Sequence, residues 1–112
     1  MFNGGVTTRR DREDGSFGFE GRSFVVACDL ERQELRSIER EIEGLGGSVH
    51  PFLNAVTDIL VVGPIHGNDG DAHWAREQIR RGKIYRDRWG HLEFVSETCL
   101  RAALEEARRK KA

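Results

Sequence analysis

The chain has 112 residues, of which 33% are charged and 38% hydrophobic, and its formal net charge is −1. That length fits one domain with a modest core and leaves little room for a second. The near-zero charge excludes a whole-molecule field that draws in nucleic acid, no apolar run is long enough to span a bilayer, and the first 21 residues lack the apolar centre of a secretory signal.

Residues 1–20 are rich in Gly, Thr, Arg, Asp and Ser with no sustained period. They read as a flexible arm, with the domain expected over 21–112. Phe17 and Phe19 stand out in it, as aromatics that can add an edge strand or dock on the domain surface. Ser23-Phe24-Val25-Val26-Ala27-Cys28 is continuously apolar after its first residue, which suits a strand buried on both faces. Asp29 then offers a helix N-cap. Leu35, Ile38, Ile42 and Leu45 recur at helical spacing until Gly44-Leu45-Gly46-Gly47, where glycines permit a left-handed turn. Ser48-Val49-His50 is at most a short strand, because Pro51 cannot donate to a ladder. Asp58-Ile59-Leu60-Val61-Val62-Gly63 is a second buried strand, and residues 64–71 form a loop by composition. A helix is expected over 72–81, ended by Gly82. Lys83-Ile84-Tyr85-Arg86 and Leu92-Glu93-Phe94-Val95 then read as a hairpin or as two strands around a loop. Ser96 caps a last helix carrying Leu100, Ala103, Leu104 and Ala107.

The resulting order, β-α-β-β-α-β-α, predicts an α/β fold. Its form is a three-layer sandwich with a central, mainly parallel four-stranded sheet flanked by helices. Charge is uneven along it. Six acids face three arginines over 29–44, whereas six bases face two acids over 76–88. A neutral total can therefore hide a basic face, or the charges can simply solvate helix surfaces. Cys28 and Cys99 lie far apart in apolar company and read as reduced core residues. His50, His66, His73 and His91 are scattered without a paired-ligand spacing, so no metal site is expected. The loop over 63–70 has no Lys-Ser/Thr ending and is not a P-loop. No Ser/His/Asp set sits in a nucleophile context. A non-enzymatic chain without a cofactor is expected.

Four segments resemble the BRCT family across about residues 19–107. Phe19-Glu20-Gly21-Arg22-Ser23-Phe24-Val25-Val26 is similar to its opening glycine and first strand. Ile42-Glu43-Gly44-Leu45-Gly46-Gly47-Ser48-Val49 is similar to its Gly-Gly helix end, and Val56-Thr57-Asp58-Ile59-Leu60-Val61-Val62-Gly63 to its third strand. Phe94-Val95-Ser96-Glu97-Thr98-Cys99-Leu100 is similar to its last strand–helix junction. The resemblance implies a module for protein or DNA binding in DNA repair or replication. Phosphopeptide-binding members carry Ser or Thr and then Gly at the end of the first strand, where this chain has Ala27 and Cys28. They also carry a Lys near the start of the second helix, where only His73 or Arg76 stands in. Many members have a Trp in the third helix at the position of Cys99. Its absence makes the likeness closer to single bacterial domains, such as the one ending NAD-dependent DNA ligase.

The resemblance implies the expected partners: proteins of DNA metabolism, and DNA carrying 5′-phosphate ends, with no membrane. Arg32, Arg36 and Arg76 are the candidate phosphate contacts, with His73 beside them and with Arg9, Arg10 and Arg12 on the arm as further donors. Pairing with adjacent acids is the alternative for each arginine. Trp89, in a basic turn-like segment, is a candidate partner anchor or a cover for the core. The expected location is the cytoplasm, associated with the nucleoid, or the nucleus in a eukaryote. A small nucleotide- or phosphate-binding doubly wound domain, using the loop over 63–70, is the competing reading. A structural dimerisation domain is the third.

Overall fold

The computed structural model describes residues 11–12, 18–67 and 69–111. Its strands are β1 (Asp11–Arg12), β2 (Ser23–Ala27), β3 (Ser48–Val49), β4 (Ile59–Val62) and β5 (Glu93–Ser96). Its helices are α1 (Arg32–Gly44), α2 (Gly70–Trp89) and α3 (Glu97–Lys111). The strands form one sheet in the order β1-β5-β4-β2-β3, and every pairing is parallel. The four-stranded parallel sheet expected from the sequence is β3-β2-β4-β5. β1 adds a short fifth strand at the β5 edge, with Asp11 opposite Phe94 and Arg12 opposite Val95.

Alternation along the strands sends side chains to two separate cores. Phe24, Val26, Ile59, Val61 and Val95 pack with Ile38 and Ile42 of α1 and with Cys99, Leu100, Ala103 and Leu104 of α3. Val25, Ala27 and Leu60 pack on the other face with Ala75 of α2, Leu53 and Leu92. Both faces are covered, which is why these strands read as unbroken apolar runs. Burying a Leu or Ile such as Ile42 or Leu100 stabilises by roughly 1.5–3 kcal/mol.

Phe19, placed in the arm by its sequence context, is a core residue. It is 7% exposed and stacks on Phe24 at 5.6 Å between ring centroids. Its carbonyl accepts from Arg22 N–H, and the turn is completed by Gly21 N–H donating to Gly46 O. Gly46 holds φ +94. At Gly47 a Cβ would stand 2.8 Å from Ile42 Cγ2 and 3.0 Å from the Phe19 carbonyl oxygen. The Gly-Gly pair is thus needed for a left-handed residue and then for a close approach. Phe17 lies outside the described residues.

Three local expectations are corrected. Asp29 does not cap α1. The N-cap is Glu31, without a side-chain bond, while the Asp29 carboxylate accepts from His66 N–H at 3.1 Å. Gly82 does not end α2, which runs on to Trp89 and stops at Gly90 in the left-handed region. Gly82 is where the helix rests on the sheet, since a Cβ there would lie 2.5 Å from Leu60 Cδ2. The segment Lys83-Ile84-Tyr85-Arg86 is therefore helical and not a strand.

Candidate functional site

The chain leaves β2 through α1 toward β3 on one side, and leaves β4 through α2 toward β5 on the other. The strand order thus switches direction between β2 and β4. In parallel sheets the crevice beyond the carboxyl ends of such strands is the natural binding place. Here it is a cleft of about 220 Å³ lined by Val26, Cys28, Leu30, Arg32, Leu35, Asp71 and Trp74. The β2 and β4 ends are tied across it, because Asp29 N–H donates to Pro64 O and the Asp29 carboxylate takes the His66 N–H. That contact engages one backbone donor of the loop over 63–70. Asp69 caps α2 by accepting from Ala72 N–H at 2.8 Å.

The cleft occupies the place where the resemblance sets a phosphate, yet its chemistry is different. Ala27 is fully buried and has no hydroxyl. Cys28 puts a side chain into the space that a glycine would leave open. Burial first, and the Glu97 carboxylate second, push the Cys28 thiol up to about 12, against the pull of Arg101. It is therefore a neutral, inert thiol. The Asp71 carboxylate lines the wall and repels a phosphate. Neither substitute for the family lysine reaches in: His73 is exposed outside the cleft lining, and Arg76 donates to Gly67 O at 2.9 Å.

Many of the arginines are paired with acids. Arg80 and Arg81 are held by Glu77, Arg109 by Glu106, and Arg101 by Glu34 and Glu97. Arg108 grips both oxygens of Glu41 at 2.6 and 2.7 Å. Five arginines of the second half are thus paired with acids. Arg32, Arg36 and Arg40 behave otherwise. They follow one another at four-residue spacing on the exposed face of α1, and no ion pair or side-chain hydrogen bond joins them to the described residues. With Gln33 and Ser37 they line one exposed face of α1.

Of the sequence candidates, the structure brings Arg32 and Arg36 together on α1, and sets His73 and Arg76 apart on α2. Arg9 and Arg10 lie outside the described residues. Arg12 is described in its backbone only, as part of β1. Trp89 is half-buried, with the Tyr85 ring stacked on it at 4.3 Å and the His91 ring near-parallel at 6.0 Å between centroids. Arg40 and Asp71 escaped the sequence reading. The four-residue step from Arg36 was a signal for Arg40. Asp71 had none before α2 was placed beside β2. Among the described residues no group of three His, Cys, Asp or Glu is placed to hold a metal, and no helix is long and apolar enough to cross a membrane.

The model of the BRCA1 C Terminus (BRCT) domain matches residues 17–89. No curated protein and no solved structure matches the chain. Domains of this family are generally non-catalytic modules for protein–protein or DNA binding in processes of the DNA-repair type. The parallel β3-β2-β4-β5 sheet with α1 and α3 on one face and α2 on the other, the Gly-Gly turn into β3 and the family match over 17–89 agree, and the chain belongs to the BRCT family.

Proposed function

We propose that this BRCT domain is a non-catalytic recruitment module that holds DNA by its sugar–phosphate backbone and brings a protein of DNA repair or replication with it. The observation that carries the reading is the Arg32–Arg36–Arg40 stripe, three exposed cations without an acid among the described residues, while most arginines of the second half have one. Guanidinium groups bind phosphate oxygens bidentately, and a helix places successive stripe residues about 6 Å apart, at 1.5 Å per residue. Contacts of this kind orient a duplex without reading its sequence. The presence of Cys99 in α3 favours the single bacterial type of domain, which would act at the nucleoid. A eukaryotic source would put the same activity in the nucleus.

Titration of duplexes with and without a 5′ phosphate over a salt series tests this. Three phosphate contacts give a slope of log K against log salt of about −2.7. Removing one contact with Arg36→Ala makes that slope shallower by about 1 for every duplex sequence. A chain that binds neither duplex at about 50 mM salt has no such DNA contact.

A further inference from the structure

Arg32 belongs both to the α1 stripe and to the cleft between α1 and α2. A backbone held on the stripe is therefore led to the cleft mouth. The cleft, at about 220 Å³, is smaller than the roughly 300 Å³ at the low end of drug-sized ligand sites, so it suits one ring system. Its walls are apolar at Val26, Leu30 and Leu35, with the half-buried indole of Trp74 among them. Its polar groups are of opposite sign: Arg32 is a donor for an anion, and Asp71 is an acceptor for an N–H group. A flat, apolar ring that carries an amine and is joined to a phosphate meets all of these at once.

Resting on the DNA reading above, we propose that the cleft takes one unpaired nucleobase at a DNA end. The base stacks on Trp74, its exocyclic amine donates to Asp71, and its phosphate lies on Arg32. Stacking on an aromatic side chain tolerates any base, while the carboxylate favours those with an exocyclic amine. The cleft would thereby report a frayed or overhanging end, with a base rather than a phosphate beside Asp71.

The experiment compares the full chain on a blunt duplex and on duplexes ending in a single unpaired C, A or T. The C and A ends bind about tenfold tighter than the blunt end, within the range of one base–aromatic stack. The T end gains less, because it presents a carbonyl where C presents an amine. Trp74→Leu removes the gain of every overhang. Asp71→Ala, at an exposed position where folding is not at risk, equalises C and T. Arg36→Ala weakens all four duplexes alike. Equal binding of blunt and overhanging ends, or C and T ends bound equally by the unaltered chain, overturns the base site and leaves the DNA reading standing. Absence of binding to every duplex overturns both.

Discussion

Cys28 decides more of the site's character than any other single residue. It stands at the end of β2, and Gly63 approaches so closely that a Cβ there would lie 2.7 Å from Cys28 Cβ. The packing keeps the thiol half-buried beside the Glu97 carboxylate, and both effects oppose a thiolate. Alkylation of the native chain near pH 8 should therefore be much slower than that of an unfolded control, measured by mass spectrometry. The stability consequence has a definite sign. A thiol raised from 9.0 to about 12 contributes stability that is complete below pH 9 and is lost as the pH rises toward 12. Cys28→Ala should flatten that alkaline decline in chemical denaturation.

At the scale of elements, α1 and α3 share a core and are laced by Arg101–Glu34 and Arg108–Glu41. The hydrogen bond from Arg108 holds the Glu41 carboxyl below the usual glutamate range, with burial working against it. A depressed carboxyl contributes stability that is present above its unfolded pKa and lost as the pH falls through the folded one. The unaltered chain should thus lose urea resistance in acid more steeply than Arg108→Gln does. The pair is exposed, so added salt should narrow the difference. The length of α2 was not legible, for a local reason. A helical glycine costs about 1 kcal/mol relative to alanine, so Gly82 reads as a stop. Its true cause is non-local: the helix axis passes so close to Leu60 and Phe94 that only a residue without Cβ fits. Once α2 continues, Tyr85 and Trp89 stack one turn apart, and Trp89 ceases to be a free anchor.

For the molecule as a whole, the sheet organises two cores and one crevice, and Phe19 ties its chain entry to the α1–α3 side. The packed unit therefore includes Phe19. Phe19→Ala should destabilise by about 3–5 kcal/mol, the usual cost of removing a buried phenyl ring. A chain shortened to begin at Gly21 should melt below one beginning at Gly18 by a similar amount in thermal or urea melts. An unchanged melting temperature for Phe19→Ala would mean that the ring is not packed in solution.

The sequence by itself determined the α/β class, the four-strand parallel core and the family likeness. Those depend on nearest-neighbour signals: apolar strands with both faces buried, helical spacing of Leu35, Ile38 and Ile42, and glycines at the turn into β3. It also exposed the loss of the phosphate-reading residues at Ala27 and Cys28, since those are identities at fixed places. Only the tertiary structure decided which arginines find an acid among the described residues. Arg101 and Arg108 find Glu34 and Glu41, each 67 residues away, and that choice leaves Arg32, Arg36 and Arg40 outward. Only the tertiary structure set Asp71 and Trp74 opposite Arg32, because the crevice arises from the reversal of strand order between β2 and β4 and not from any local pattern.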